Sequence, residues 1–343
     1  MKFFKTAAAL IFVLSAAVQT FALDVIITPP SGATWGDAID ILKSAVEERL
    51  NDPKKFTKAN ANAASYANHV ATQRGYAGYD YFAFTFGAMA GAQLPSSNYD
   101  DLKDLNDSIR NEGDVQIGLS TQFAVQLGIK AWFISDDLYL GFKIGQAKIN
   151  FSEGENKFKY GTFMLGLVAN YMLLNRMSVG YGAVRWRGLN FGTGLIYQNS
   201  DTKYTMKLGG DQLSGTGGSP PVILTVTDPY LEYKMNSKIA TIPLELTTAL
   251  RLLYCVNFTA GFGADLSMGK TDVRLGMDGE VDDGTDPGKI EVTGKVKSSP
   301  SIIRPKIMAG IGIGIADAIV IDVPLTLYWG NGFDIGITIG TVW

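Results

Sequence analysis

Large apolar residues occupy every second position over residues 115–133, and small or polar residues fill the positions between them. A period of two predicts a β-strand with one apolar face and one polar face. Strands of soluble proteins usually run about 3–10 residues, so this stretch is unusually long. The apolar positions are Val115, Ile117, Leu119, Phe123, Val125, Leu127, Ile129 and Phe133.

The same alternation recurs along the rest of the chain and predicts about ten strands in all. Each further segment pairs a stripe of Phe, Leu, Ile or Val with an opposite stripe of Gly, Thr, Asn or isolated charges. The segments are residues 82–91, 138–145, 158–173, 179–199, 242–251, 254–265, 303–315, 319–327 and 333–340.

Composition decides which face meets lipid. Charged residues make up only 18% of the chain although hydrophobic residues make up 46%, whereas soluble domains carry about 25% charge. After residue 22 no apolar run reaches the roughly 18 residues of a spanning helix. A sheet in lipid must close on itself because lipid cannot satisfy free strand edges. We therefore predict an all-β, antiparallel transmembrane β-barrel of about 10 strands (range 10–14), with a soluble secreted β-sandwich as the alternative.

The connections predict how this barrel is oriented. Short links at residues 135–137, 174–176, 251–253 and 316–318 alternate with long polar stretches at 95–112, 200–236 and 270–300. Outer-membrane barrels have short periplasmic turns and longer external loops. The long stretches contain β-like pieces that would raise the strand number if they entered the membrane. Because those pieces are shorter and more polar, we predict ten spans with external hairpins.

Residues 1–22 have the pattern of a secretory signal peptide, with Lys2 and Lys5 before an apolar core and small residues at its end. We predict cleavage before Leu23. Without Lys2 and Lys5 the chain keeps 28 basic and 33 acidic residues. This balance argues against nucleic acid as a partner.

Residues 23–78 differ from the rest and predict a small N-terminal helical segment, followed by the barrel at 79–343. Thr34 to Asp37 fits a helix start, Ile39, Leu42 and Val46 recur at helical spacing, and Pro53 should end that helix. The Ala- and Asn-rich residues 56–72 predict a second helix. The segment is either a plug in the barrel or a periplasmic extension packed outside it.

The last strand carries a recognisable pattern. The stripe Phe333, Ile335, Ile337 and Ile339 ends in Trp343 and resembles the terminal signal of Gram-negative-type outer-membrane β-barrel proteins. Thr341 departs from that pattern. The resemblance implies an outer-membrane location, and outer-membrane lipids and the barrel-assembly machinery as partners. The helical segment before a barrel is also similar to the hatch of FadL-type fatty-acid transport barrels, although no hatch motif matches.

Alternation assigns eight charged side chains to the lumen: Lys130, Lys143, Glu245, Arg251, Asp265, Arg304, Lys306 and Asp334. They either pair with one another and rigidify the barrel or line a path for solutes. Two functions follow. The first is a porin-like channel or passive transporter for small or hydrophobic solutes. The second is a non-conducting, surface-exposed barrel that acts in structure, adhesion or partner binding through its external loops.

Catalysis is not expected. The chain has one His, His69, predicted to be a solvent-exposed helix residue outside the barrel, and one Cys, Cys255. Hydrolytic and metal sites usually need His beside other functional groups. The acidic stretch 278–286 lacks the spacing of an EF-hand. We expect no enzyme, no cofactor and no metal site.

Overall fold

The computed structural model describes residues 23–30, 35, 37–49, 53–73, 81–94, 118–207, 214–217, 222–282, 287–315 and 318–342. Two helices and fourteen strands lie within these ranges. In chain order they are β1 (Leu23–Thr28), α1 (Ala38–Arg49), α2 (Pro53–Ala63), β2 (Phe82–Gln93), β3 (Gly118–Lys130), β4 (Leu138–Glu153), β5 (Asn156–Leu174), β6 (Met177–Val179), β7 (Val184–Lys207), β8 (Ser214–Gly217), β9 (Val222–Leu252), β10 (Val256–Asp282), β11 (Gly288–Ser298), β12 (Ile303–Ile315), β13 (Ile319–Tyr328) and β14 (Gly332–Val342).

Ten of the strands form a closed antiparallel ring, in the order β2, β3, β4, β5, β7, β9, β10, β12, β13 and β14. The ring closes where β14 pairs with β2, from Gly332 opposite Gln93 to Val342 opposite Ala83. Closure leaves no free edge within the ring, as a membrane-spanning sheet requires. The predicted all-β barrel of about ten spans is confirmed.

The outward face of the ring is apolar. Phe262, Ile307 and Leu167 are about 60% exposed, and similar residues continue around the barrel. Their neighbours in sequence point inward and are polar or small, as in Asn257, Asp265 and Ser267 of β10. This is the pattern of a transmembrane barrel. Among the described residues, no helix is both long enough and apolar enough to cross a membrane.

At the end of the barrel that carries the long connections, several neighbouring strands extend beyond the apolar band. We call this extension the raised wall. It comprises residues 146–162, 199–207, 222–238 and 270–282, together with β11 and β1. Residues 200–236 and 270–300, predicted as long polar connections, are therefore largely strand among the described residues. Lys203 faces Lys234, and Asp272 faces Lys297.

The two faces of the sheet exchange polarity at the start of the raised wall. In β10 the outward residues change from Phe262 and Met268 to Lys270 and Arg274, whereas the inward residues change from polar to apolar at Val273. The exchange marks where lipid stops contacting the outward face. Above that level the inward face forms a core of the kind found in soluble proteins.

The N-terminal elements complete that core. β1 pairs antiparallel with β11, from Leu23 opposite Gly294 to Thr28 opposite Lys289. Helix α1 places Ala38 and Leu42, both 0% exposed, in the same buried cluster as Tyr233 of β9. The helical prediction for residues 23–78 is thus correct at α1 and at residues 56–63 of α2. It is wrong at 23–28, where the edge of β11 pairs with a strand, and at 64–72, which form turns and irregular backbone.

Helix α2 and the residues that follow it extend from the raised wall into the ring. Lys58 Nζ of α2 donates to Ser299 O, 2.7 Å away, near the raised wall. Ala71 lies close to Thr85 near the start of β2, at the short-turn end, because the Thr85 hydroxyl donates to Ala71 O. Residues 59–73, which we call the plug segment, therefore run along the lumen from the long-loop end towards the short-turn end. The predicted signal peptide, residues 1–22, lies outside the described residues.

Candidate functional site inside the barrel

The plug segment is buried and contacts the inner wall on all sides. Fourteen of its fifteen residues are buried, and Asn62 is half-buried. Hydrogen bonds from or to β2, β3, β4, β7, β10, β12, β13 and β14 surround it. A segment that touches eight of ten strands of a closed ring lies within the ring. Residues 59–73 of the predicted N-terminal segment therefore lie inside the barrel, whereas β1 and α1 pack in the raised wall.

Glycines on the inner wall make room for the plug segment. A Cβ placed on Gly87 would lie 2.4 Å from the backbone nitrogen of Ala71, and one placed on Gly118 would lie 2.2 Å from the carbonyl oxygen of Ala59. Real Cβ atoms do not approach backbone this closely, so only glycine permits the observed packing. The Gly-rich inward faces thus accommodate a peptide segment within the lumen.

A buried cluster of charges joins three strands to the plug segment. Lys306 Nζ of β12 lies 2.5 Å from Glu245 Oε1 of β9 and 2.5 Å from Asp265 Oδ1 of β10. Asn68 Nδ2 donates to Asp265 Oδ2 at 2.7 Å. A cation shared by two carboxylates compensates for much of the cost of burying all three groups. The predicted lumen residues Glu245, Asp265 and Lys306 therefore meet in one network.

His69 lies in this interior, so its prediction as a solvent-exposed helix residue is wrong. The side chain is 3% exposed, and its Nε2 lies 3.0 Å from Asp334 Oδ1. Asp334 Oδ2 accepts a hydrogen bond from Tyr328 OH at 2.9 Å. The Thr326 hydroxyl also faces His69 Nε2, at 3.2 Å. A catalytic triad needs the carboxylate and the hydroxyl on opposite ring nitrogens, whereas here both face the same nitrogen.

An aromatic and cationic stack anchors the upper part of the plug segment. The rings of Tyr66 and Tyr328 stack with centroids 4.1 Å apart, and the Arg304 guanidinium lies 4.6 Å from the centroid of the Tyr66 ring. Arg304 Nη1 also donates to Asn62 O at 2.8 Å. The Tyr66 hydroxyl donates to Gln93 of β2. Arg304, predicted to face the lumen, thus holds the plug segment by both charge and stacking.

The remaining lumen candidates take different positions. Lys143 is 0% exposed and donates to Asn68 O at 3.0 Å and to Thr72 Oγ1 at 2.6 Å. Arg251 is buried and donates through Nε to Asn257 Oδ1 at 3.0 Å, near the short-turn end. Lys130 is only partly buried, at the end of β3, with its Nζ 3.7 Å from Asp136 Oδ1.

Sequence reasoning did not identify the plug-side partners Asn62, Tyr66, Asn68 and Thr72. The available signal was the composition of residues 56–72, which combines Ala with Asn, Ser and Thr. Small residues permit close approach to a wall, and amides and hydroxyls can bond to inward polar groups. In this chain, that composition was the one sequence signal that residues 59–73 could pack against a polar inner wall.

The stripe predicted as the assembly signal faces outward on β14. Ile335, Ile337 and Ile339 are 47%, 42% and 43% exposed, and Phe333 is half-buried. They belong to the apolar face of the ring. Trp343 lies outside the described residues.

The family model described as Lsa36-like matches residues 20–343. The chain belongs to the Lsa36-like family. The match spans the plug segment, the ring and the raised wall, so the Lsa36-like region includes every element described above. No curated protein sequence matches the chain.

Solved structures similar to this Lsa36-like chain have low sequence identity. The translocator domain of the autotransporter NalP from Neisseria meningitidis is 10% identical, with 91% of this chain and 99% of that chain covered and a TM-score of 0.36. A FadL homologue from Pseudomonas aeruginosa is 10% identical, with 84% and 97% covered and a TM-score of 0.25. LpxR from Salmonella typhimurium is 10% identical, with 75% and 100% covered and a TM-score of 0.23.

Proposed function

We propose that the protein is an outer-membrane barrel that is closed at rest and works through its external surface, where the raised wall meets partners. The observation that carries this proposal is the plug segment, which contacts eight strands of the ring from inside. The raised wall adds support, since it has its own hydrophobic core built from β9, β10, β11 and α1. An ordered external platform on a filled barrel suits binding or a structural role better than free diffusion of solutes.

Conductance in planar bilayers tests this proposal. Full-length protein, checked for folding by heat-modifiable gel migration, should give no stable channel steps. A variant with Asn68→Ala, His69→Ala and Thr72→Ala loses side-chain contacts of the plug segment while the wall stays intact, and its conductance should rise. Stable, large steps from the unmodified protein would refute a barrel closed at rest. A closed trace from both proteins would show that these three side chains are not needed to keep the lumen closed.

A matched control separates this effect from general damage. The variant Thr205→Ala with Thr293→Ala changes polar residues of the raised wall, away from the lumen. It should behave as the unmodified protein does in the bilayer. If it conducts like the plug variant, the rise does not report on the plug segment.

A gated passage is the second candidate, because polar contacts hold the plug segment. Thr72 bonds to Gln126 at 3.1 Å and Ser120 bonds to Ala63 O at 2.7 Å. Water can replace each such contact at a net cost of about 0.5–1.5 kcal/mol. Moving the segment also gives up the apolar contact that Ala67, Val70 and Ala71 make with the wall. Under this reading the predicted transport function operates only in an opened state. Conductance that appears reversibly at raised voltage or in mild urea would support it.

The proposal also includes export through a cleaved signal peptide and insertion by the barrel-assembly machinery. We place the cleavage site before Leu23, and Leu23 is the first residue of β1, so a mature chain would begin directly with a paired strand. N-terminal sequencing of the protein from an outer-membrane fraction tests the site. The assembly machinery would read the β14 stripe and Trp343. Deleting Trp343 should lower the amount of folded protein in that fraction.

A further inference from the structure

A row of basic side chains crosses the outer face of the raised wall. The strand register places these residues directly opposite one another on five neighbouring strands. The row runs Lys159 (β5), Lys203 (β7), Lys234 (β9), Arg274 (β10) and Lys295 (β11). All five side chains are outward-facing and at least partly exposed.

This arrangement is unfavourable unless an anion is present. Residues directly opposite each other on antiparallel strands have Cβ atoms about 5 Å apart, and like charges in such pairs destabilise the sheet. Glu232 forms ion pairs with Lys203 and Lys234. Partial burial of this carboxyl tends to raise its pKa, but the hydrogen bonds from Lys203 and Lys234 bring the pKa of Glu232 below its usual value. Asp24 lines the same surface as Arg274 and Lys295. Glu232 and Asp24 therefore offset only part of the charge of the five-residue row.

Four members of the row, Lys159, Lys203, Lys234 and Arg274, line the upper part of a groove of about 720 Å³. Six basic residues line the groove, whereas its acidic residues are only Asp201 and Asp272. Asp201 accepts a hydrogen bond from Asn236, and Asp272 Oδ1 lies 3.8 Å from Lys297 Nζ. The basic lining residues are Lys148, Lys159, Lys203, Lys234, Lys238 and Arg274. The groove thus presents a net positive surface made of several side chains.

The groove continues the lipid-facing surface of the barrel. Leu165, Tyr197 and Met268 of the last apolar row lie on the same face of the same strands. Lys238 and Lys270 face each other two residues beyond Ala240 and Met268, about 5 Å higher, within the headgroup layer of a bilayer. Lys159 lies six residues beyond Leu165, roughly 15 Å higher at a strand tilt of about 40°.

The height of the basic row above the apolar band indicates which kind of anion can reach it. The headgroup layer of a bilayer is only about 5–8 Å deep on each side, so the upper row lies above the phosphates of ordinary phospholipids. Long Lys and Arg side chains can reach down from it, but an extended headgroup would fill the whole groove. A glycolipid that carries phosphates on its sugars has this reach and this charge.

We propose that the groove binds the phosphate groups of an anionic glycolipid in the leaflet on the long-loop side of the membrane. The lipid chains lie against Leu165, Tyr197 and Met268, while the phosphates replace the missing counter-charges of the basic row. The site is on the outside of the barrel. It therefore does not depend on whether the lumen is closed.

Binding of a defined glycolipid tests the proposal. Full-length protein in zwitterionic detergent micelles is titrated with bisphosphorylated lipid A, with its dephosphorylated form, with inorganic pyrophosphate and with polyglutamate. The variant Lys159→Gln with Arg274→Gln removes two charges of the row. Lys157→Gln with Lys289→Gln is the matched control, since both residues are exposed on the raised wall but do not line the groove.

Lipid A should bind the unmodified protein and the control alike, and the groove variant at least about tenfold more weakly. The dephosphorylated lipid and pyrophosphate should bind much more weakly than lipid A. Equal affinity of the two variants, or equal binding of the dephosphorylated lipid, would overturn the proposal. Stronger binding of pyrophosphate would identify a free-anion site instead, and stronger binding of polyglutamate an acidic protein partner.

Thermal stability supplies a second readout that a merely structural row would not show. Without lipid, the groove variant should melt at the same temperature as the unmodified protein or higher, because repulsion is relieved. With lipid A, the order should reverse, because a ligand raises the melting temperature only of the protein that binds it. A groove variant that is less stable without lipid would contradict the repulsion on which the proposal rests.

Discussion

His69 of the plug segment and Asp334 of the last strand meet inside the barrel, with 3.0 Å between Nε2 and Oδ1. The contact ties the N-terminal part of the chain to the strand that closes the ring against β2. Because the plug segment is surrounded by the ring, the ring must close around it or admit it through an open end. Folding of the barrel and placement of the plug segment are therefore coupled.

The shared cation of the lumen should be important for stability. Lys306→Met leaves the buried carboxylates of Glu245 and Asp265 without their shared cation and should destabilise the barrel by about 3–5 kcal/mol. Urea unfolding in micelles, followed by tryptophan fluorescence, measures the loss. Adding Glu245→Gln and Asp265→Asn removes the unpaired charges and should recover much of it. No recovery would mean that the methylene chain of Lys306 matters more than its charge.

The inner-wall glycine at position 87 should be needed for the position of the plug segment. Gly87→Val places side-chain atoms where Ala71 lies, so the segment must shift and become a better protease substrate. Limited digestion with proteinase K, which cleaves after many residue types, followed by mass spectrometry of the fragments, detects this change. Gly276→Val is the matched control, since a Cβ at Gly276 has no neighbouring atom within 4 Å. Equal digestion of the two variants would argue against tight packing at Gly87.

Helix α1 should stabilise the raised wall locally. Leu42 is 0% exposed in the core of the wall, so Leu42→Ala should cost about 2–5 kcal/mol. Hydrogen exchange of the upper parts of β9 and β10 should accelerate while the spanning parts stay protected. Ile41, on the same helix, is 43% exposed, and Ile41→Ala should change stability by only about 0.5 kcal/mol. Similar effects at both positions would contradict the observed packing of α1.

The apolar band should not tolerate charge, whereas the raised wall should. Ile311 is 51% exposed on β12 in the band, and Ile311→Lys should cost about 2–4 kcal/mol if it lies near the bilayer centre. Thr293 is exposed on β11 of the raised wall, and Thr293→Lys should cost no more than about 0.5 kcal/mol. Equilibrium refolding into lipid vesicles gives both values. Equal costs would refute the assignment of the membrane boundary.

The period of two determined the barrel. From residue 115 onward, apolar residues at alternate positions can only be buried against lipid or a second layer, and the Gly- and Gln-rich opposite face favoured lipid. The lumen residues Lys143, Glu245, Asp265 and Lys306 followed from the same parity, since neighbouring side chains of a strand point to opposite faces. The alternation of side chains along a strand does not predict which of these residues contact one another. Their partners depend on strand order and shear.

The sequence by itself determined the spanning strands, their inward and outward faces and the number of spans, because these are local and periodic properties. Only the tertiary structure decided that residues 59–73 enter the lumen, that His69 is buried against Asp334, and that the strands continue into a raised wall. All three depend on contacts between residues far apart in sequence. The free energy of the plug contacts exists only when the ring has closed, and that of the raised wall only when β1, α1, β9, β10 and β11 pack together. The row from Lys159 to Lys295 arises in the same way, because five isolated basic residues become one surface only through the register of the sheet.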